Sequence, residues 1–474
     1  MLEHNGAIQE FLQTACNQIR YKSIHKSIVN ELTDHIEEQK IHYIKLGFSE
    51  EEATAKAIEQ MGDPVLVGKE LDKAHRPKTE WSILSLVAVL VLIGGALQFL
   101  ISGVSTDGQS SFLRFLFYAP IGIAVFTFTY FFDYTLIARY SKQLFFILFG
   151  TAIVYFYFSQ PYCGAYPHIY YFALLFIPIF AGVIYSYKGK DYFGIIKCGL
   201  YYGSAAFLCL IAPRVSAFVI HSVSCLILLT LAIIKGYFIG NKKISLAIVY
   251  IPTTIIFILF TIFLFFQSPI RRNRIATMLN PKIDPDGQGF HVLMVKRIIQ
   301  SSQTFGKAVF EGEFENMPIH QMLPGWNTDF SLTYIIGRLG IAAGLIIIAI
   351  VSVFIVRMFI SVTKQKNSFG YLLSFSACIA LTSQFVLYVI SNLGIFTIFS
   401  SLTLPFISFG GMGFIANMVL IGLVLSVYRR TNIVYDRIQM NSHNLKLFTF
   451  EDGKIIIDLG LNKDKNHINS YRQK

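Results

Sequence analysis

Apolar residues run in blocks along this chain. From Trp81 onward, stretches of about 20 mostly apolar residues recur, each long enough to cross a bilayer as a helix. Ten spans are expected, at 82–103, 112–132, 142–159, 168–187, 192–211, 216–235, 244–266, 331–357, 369–395 and 406–428. Strands of a transmembrane barrel would alternate in polarity, and these segments do not. Before Trp81 the pattern changes. In IVNELTDHIEEQKIHYIKLGFSEEEATAKAIEQMGDP, apolar residues at Ile28, Leu32, Ile36 and later Ile44 mark a helix that should stop at Gly47, a natural left-handed cap. A second helix should open with a capping box, Ser49 to Glu52, and end at Gly62-Asp63-Pro64. After the last span, LKLFTFEDGKIIIDLG reads as a hairpin turning near Asp452-Gly453. The expected architecture is an all-α polytopic membrane protein. A helical module at 1–80 precedes a membrane domain at 81–430 and a short soluble tail at 431–474.

Composition agrees. The 474 residues are 54% hydrophobic and 14% charged, too little charge to cover a soluble protein of this length. No short apolar core with a cleavage site opens the chain, so no signal peptide is expected. The six cysteines (Cys16, Cys163, Cys198, Cys209, Cys225 and Cys378) lack CxxC spacing and read as small buried hydrophobes. His25, His35 and His42 read as residues of charged helix faces rather than metal ligands.

Charge sets the orientation. The net +12 divides into about −4 for residues 1–80, with 10 basic and 14 acidic side chains, and about +16 for the rest. With the N-terminus inside, the cytoplasmic connectors contain Arg139, Lys142, Lys188, Lys190, Lys235, Lys242, Lys243, Arg357, Lys364, Lys366, Arg429 and Arg430. The short outer connectors contain only Arg114 and Arg214. Both termini are therefore expected in the cytoplasm. A basic membrane domain suits anionic headgroups and phosphate-bearing substrates.

One outer connector, 267–330, is long, polar and charged, and reads as a long functional loop. It holds six of the seven acids expected on that face: Asp284, Asp286, Glu311, Glu313, Glu315 and Asp329. It also holds Arg271, Arg272, Arg274, Lys282, Lys296, Arg297 and Lys307. Such a mixture suits recognition of a lipid-linked phosphate and proton handling. No GxxxxGK[ST], HExxH or GxSxG occurs, which leaves an ATPase, a zinc hydrolase or a serine hydrolase unsupported. In LPGWNTDF (323–330), Asp329 adjoins an apolar run, a setting that favours general-base work; the plainer alternative is a helix N-cap. A second cluster, SLTLPFISFGGMGF (401–414), joins a helix-breaking Pro405 and a hydroxyl at Ser408 to Gly410 and Gly411, which admit close backbone approach. Asn392-Leu393-Gly394 lies on the same membrane side.

These clusters, with ten spans and a large seven–eight loop, resemble the FtsW/RodA/SpoVE (SEDS) family of peptidoglycan glycosyltransferases. The resemblance covers roughly 80–430 and rests on Arg271 and Arg274, LNPKIDPDGQGFH (279–291), Gly306-Lys307, LPGWNTDF, Asn392-Leu393-Gly394 and LPFISFGG (404–411), with a faint echo at Cys163-Gly164-Ala165. It implies that Asp329 is the base that deprotonates the sugar 4-hydroxyl of one lipid-linked disaccharide (lipid II) as that oxygen attacks the anomeric carbon of another. Undecaprenyl diphosphate leaves with inversion. Arg271, Arg274 and Lys307 are the candidates for holding the diphosphate, with Asn392, Pro405, Ser408, Gly410 and Gly411 as a supporting loop. A divalent metal, Mg or Mn, is an expected cofactor, since a departing diphosphate needs cations. The expected partner is a class B penicillin-binding protein, and the expected location is the bacterial cytoplasmic membrane. The module at 1–80, with LTDHIEE and GFSEEEA…GDP, resembles the cytoplasmic permease prefix and is expected to bind a cytoplasmic partner or itself.

The sequence also departs from the family pattern. Asn327 stands for its His, Gln321 for a glutamate, Arg338 brings a base where an acid is usual, and Met412 and Gly413 replace serines. Two other readings therefore stand beside the enzyme: a transporter or flippase for the same precursor, and a non-catalytic scaffold of the cell wall machinery. For the transporter, the only deep polar hints are Arg214, His221 and Gln384, each read as a satisfied interface residue.

Overall fold

The computed structural model describes residues 2–161, 166, 168–212, 214–267, 272–273, 276–277, 279–287, 289–315, 317–395, 402–407, 410–433, 449–451 and 454–456. Residues 1–437 form one compact unit and 438–474 a second. In the second, strands β1 (Thr449–Glu451) and β2 (Lys454–Ile456) pair antiparallel, with Phe450 opposite Ile455.

The first unit opens with four helices, where the sequence led us to expect two. These are α1 (Leu2–Asn17), α2 (His25–Lys45), α3 (Glu50–Met61) and α4 (Pro64–Ala74). Gly47 takes φ 95° after α2, and Ser49 and Glu52 form the reciprocal capping box of α3. Pro64 opens α4 with Asp63 capping Val65 N–H at 2.9 Å. The two helices not expected supply half of the module's core: Leu12, Ala15 and Ile19 of the α1 region pack on Ile28 and Leu32 of α2, with Val67 and Leu71 of α4 against them. At 12 and 11 residues, α3 and α4 are too short to be stable alone, and burial of the shared apolar face holds them.

Among the described residues, ten helices are long and apolar enough to span a membrane: α5 (Trp81–Ser102), α6 (Thr106–Phe131), α8 (Ser141–Phe158), α9 (Ile169–Ser186), α10 (Tyr192–Ile211), α11 (Val215–Ile234), α12 (Lys242–Gln267), α16 (Ile341–Thr363), α17 (Ser368–Asn392) and α18 (Gly411–Arg429). Short helices lie between them: α7 (Thr135–Arg139), α13 (Phe290–Gln300), α14 (Ile319–Met322) and α15 (Ser331–Leu339). Apart from the hairpin of the second unit, this is an all-α, multi-pass membrane protein. In α9 and α18, 72% and 78% of the span is buried, against 11% in α6 and α12, so α9 and α18 are central and the latter two present most of their surface to lipid. α18 packs along α6 and α17, and α9 along α8, α11 and α17.

Two sequence expectations change. The run 331–357 is not one span: it divides at Gly340, which sits at φ 102°, ψ 165°, a region open only to glycine. A Cβ there would lie 2.5 Å from the Thr304 carbonyl. The 303–304 strip fills the break by accepting hydrogen bonds from Ile341 N–H (3.0 Å) and Ala342 N–H (3.1 Å), so the true span starts at Ile341. The 267–330 connector is also not a structureless loop. α13 and α14 fold within it, and Val295, Ile298, Phe310, Met322, Leu323 and Trp326 form a core with Ile101 of α5, Phe330 and Tyr334 of α15. Burial of that apolar set is what gives a charged connector a defined shape. We call this end of the bundle the loop face.

At the opposite end, the first module is tied to the spans. Lys78 N–H donates to the Arg429 carbonyl (3.2 Å), and Lys364 pairs with Glu80 (3.7 Å). The buried Arg430 guanidinium donates to the carbonyls of Phe131 (2.6 Å) and Phe132 (2.7 Å).

Candidate active site

LPGWNTDF forms a tight turn. Gly325 (φ 75°) receives the turn, with Thr328 N–H and Phe330 N–H both donating to its carbonyl. The Trp326 ring packs on Tyr334 at 4.6 Å and Phe330 stacks on His291 at 5.4 Å. Asn327 donates from Nδ2 to Ser111 Oγ at 2.9 Å and so fastens the turn to α6.

Asp329 ends this turn half-buried, one residue before Phe330, the N-cap of α15. Its backbone is held from α17: Asn392 Nδ2 donates to the Asp329 carbonyl at 3.0 Å. The same α17 side chains serve the helix start. Leu332 N–H donates to Tyr388 Oη (3.1 Å) and Thr333 N–H to Asn392 Oδ1 (3.1 Å). Those are the two donors a capping side chain normally satisfies, so the bonds a helix cap would make come from α17.

Arg214 interacts electrostatically with Asp329. It opens α11 and is only 5% exposed, a guanidinium enclosed at the edge of the spans. Burial draws it below its ordinary value. Among the groups that favour its charge Asp329 acts most strongly, followed by the hydroxyls of Tyr171, Tyr170 and Tyr155. His168, just ahead of α9, is lowered by desolvation and then by Arg214. Its ring lies 5.3 Å from Tyr155 and 5.9 Å from Tyr171. An acid, a cation and a wall of tyrosines thus share one polar cluster at the loop face.

The Pro405 segment borders this cluster. Gln98 of α5 donates to the Ile407 carbonyl (3.3 Å) and Gln384 of α17 to the Thr403 carbonyl (3.0 Å), holding the strip from both sides. Phe406 sits at φ 67°, strained for a bulky residue, and its ring packs between Phe354 and Phe414. The Gly411 Cα is pressed on the Tyr118 ring, where any Cβ would collide. The strip is not helical, so the last span begins at Gly411 rather than at 406.

Of the residues singled out from sequence, the structure gathers Asp329 and Asn392 in direct contact, and sets Pro405, Gly410 and Gly411 on the bordering strip. Arg271, Arg274, Ser408 and Cys163-Gly164-Ala165 lie outside the described residues. Lys307 is exposed at the far end of α15, where Gly306 N–H and Ala308 N–H donate to the carbonyls of Leu339 and Gly337. That is about 12 Å along the helix from its Asp329 end, at 1.5 Å per residue. The sequence reading named Arg214 only as a satisfied interface residue, one of three deep polar hints for a transporter, and did not place it with Asp329. Among the described residues no three His, Cys, Asp or Glu side chains converge to hold a metal ion.

The fold and this cluster define a multi-pass helical membrane protein with an acid and a buried cation poised at one face. The family model described as "Cell cycle protein" (FtsW/RodA/SpoVE) matches residues 78–433. The chain belongs to the FtsW/RodA/SpoVE family. It is 27% identical over 168 residues to a probable peptidoglycan glycosyltransferase FtsW of Trichlorobacter lovleyi, and 27% identical over 167 residues to the peptidoglycan glycosyltransferase MrdB of Escherichia coli. Each match covers 35% of this chain and 43% of the relative. Stage V sporulation protein E of Bacillus subtilis is 28% identical over 166 residues, 34% of this chain and 43% of that protein. The chain thus spans less than half the length of these relatives. Among solved structures, a chain of a peptidoglycan synthase complex that coordinates polymerization and crosslinking is similar at a TM-score of 0.58 and 16% identity, over 74% of this chain and 98% of that one. The rod shape determining protein RodA of Thermus thermophilus is similar at a TM-score of 0.50 and 15% identity, over 74% and 97%. At these identities the likeness is one of fold.

Proposed function

We propose that this protein polymerises lipid II into glycan strands at the outer face of the bacterial cytoplasmic membrane, with the loop face outward and both termini in the cytoplasm. The observation that carries the reading is the setting of Asp329: half-buried at the loop face, with its main chain fixed by the Asn392 side chain. In this reaction the 4-hydroxyl oxygen of the acceptor sugar bonds to the anomeric carbon of the donor. Its proton passes to the Asp329 carboxylate, and the bond from that carbon to the diphosphate oxygen breaks with inversion. A sugar hydroxyl is a weak nucleophile, so a base within hydrogen-bond reach is the group the chemistry most needs. Arg271, Arg274 and Lys307 remain proposed contacts for the departing diphosphate, with Mg or Mn as a further source of positive charge. A class B penicillin-binding protein would supply crosslinking. The named activities of the relatives and the synthase-complex neighbour support this assignment.

The test compares purified wild type with Asp329→Asn for polymerisation of lipid II, each with and without the cognate class B protein and divalent metal. Polymer from wild type and at least a 100-fold loss in the variant is the expected result. A folded wild type that makes no polymer under any of these conditions would replace the enzyme by a scaffold or a precursor transporter.

A further inference from the structure

The first module holds a basic cleft although residues 1–80 are acidic as a whole, at about −4. The cleft has a volume of about 550 Å³ and is lined by Gln18 and Arg20, just past α1, and by Lys69, Asp72, Lys73 and Arg76 on and just after α4. Four cations against one acid leave it at +3. The acid is already engaged. Asp72 accepts from Arg20 N–H (3.0 Å) and Arg20 Nε (3.1 Å) with its two oxygens, and Arg20 Nη2 adds an ion pair at 3.0 Å. Among the described residues no carboxylate comes within ion-pair distance of Lys69, Lys73 or Arg76. The walls are also fixed. α1 and α4 meet so closely at Gly68 that a Cβ there would collide with the Ala15 carbonyl and stand 2.9 Å from Gln18 Cβ.

Cations near a helix C-terminus often serve only its dipole, whose negative end they complement. Lys73, in the last turn of α4, fits that role. Lys69, one turn earlier on the same face, and Arg76, beyond the helix end, do not. Like charges gathered without a carboxylate repel one another, and an anion seated among them reverses that cost. We infer that this cleft is a binding site for a phosphate-bearing anion, held by Lys69, Lys73 and Arg76, with the rest of the Arg20 donor fork at its rim. A phosphate monoester brings a charge of about −1.5 to −2 and three acceptor oxygens, which suit lysine point charges and an arginine fork. The volume is that of a small-molecule site. Two sources of phosphate lie open to it. Arg76 precedes Trp81 by five residues, at most about 18 Å of chain. Trp81, 76% exposed at the start of α5, is a residue type of membrane interfaces. A lipid headgroup is therefore within reach, as is a soluble phosphorylated compound.

The test footprints lysines in the full-length protein, so it reads the cleft separately from the loop face and from turnover. Acetic anhydride acetylates exposed amines, and mass spectrometry gives the rate at each lysine. In nanodiscs of phosphatidylcholine, pyrophosphate should slow Lys69 and Lys73 at least about threefold, the protection that two-thirds occupancy gives. Lys26 and Lys45 of α2, exposed in the same module, should stay unchanged, as should all four lysines in chloride of equal ionic strength. The same protection in nanodiscs containing phosphatidylglycerol, with no added anion, would identify a headgroup as the source; protection by pyrophosphate alone would identify a soluble phosphate. Arg76→Gln, a change at an exposed position, should remove at least about half of the protection, and Arg76→Lys should keep it. No protection in either membrane, or a slowing shared equally by Lys26 and Lys45, would overturn the site. Full protection of both lysines in a folded Arg76→Gln protein would overturn it as well.

Discussion

Replacing Asn392 by alanine should release the Asp329 turn. The amide makes two donations, to the carbonyls of Asp329 (3.0 Å) and Tyr388 (3.1 Å), and accepts from Thr333 N–H (3.1 Å) and Thr333 Oγ (3.1 Å). Thr333 Oγ keeps its bond to the Asn392 carbonyl (2.9 Å), and Tyr388 O belongs to a helix already paired, so neither dominates the loss. What remains is the buried Thr333 N–H without its acceptor, about 1–3 kcal/mol, and the tie to Asp329, about 1 kcal/mol. Together the local cost is about 2–4 kcal/mol, or roughly 30- to 700-fold in the population of the opened turn. Hydrogen exchange resolved over residues 325–335 measures this directly, since local opening controls exchange there. We expect protection in that segment to fall by a factor in this range, with α9 and α18 unchanged. Polymerisation should fall about 100-fold, as a displacement of about 1 Å can cost that much. Exchange and rate both within twofold of wild type would show that Asn392 does not hold the turn, and the account of how Asp329 is positioned would fail with it.

Two further outcomes follow from other parts of the fold. Gly340→Ala places a Cβ against the Thr304 carbonyl in a backbone region open to glycine, at a cost of about 1–3 kcal/mol for the backbone alone; thermal unfolding in detergent should shift downward, and an unchanged midpoint would mean that α15 and α16 can run as one helix. Glu80, where the first module joins the spans, is raised by desolvation, but this is outweighed by hydrogen bonds from Tyr428 and Ser82 and by Lys364, so its folded-state value lies below the ordinary 4.5. Its stabilising effect is therefore complete above that value and lost as pH falls through the folded one. Glu80→Gln should flatten the loss of thermal stability on acidification below about pH 5, and a profile parallel to wild type would dismiss the link.

Much of this molecule follows from one-dimensional pattern. Runs of about 20 apolar residues become helices because a bilayer leaves the backbone no other way to satisfy its polar groups, so the number of spans needed no tertiary information. Capping residues are equally local: Ser49 and Glu52 meet within one turn, and Gly47 and Gly62 stop their helices where a left-handed residue is required. Asp329 was legible because an acid beside an apolar run is conspicuous. Asn392 was legible only as part of a motif. The break at Gly340 was not legible, because the run through 331–357 is apolar on both sides of it and the cause lies 36 residues upstream, in the carbonyls of 303–304 that take the place of helix bonds. Nor was the core within 267–330, where apolar residues are scattered among charges and meet only when α13, α14 and α15 converge on Ile101. Arg214 shows the difference most plainly. In the sequence it is one cation in a short connector, more than a hundred residues from Asp329. Its burial comes from the packing of α11 against α9 and α17, which removes it from water; among the described residues Asp329 is the acid that most favours its charge. Periodicity reports what a segment does with its own neighbours; which charges face each other is decided by helices that meet across the bundle.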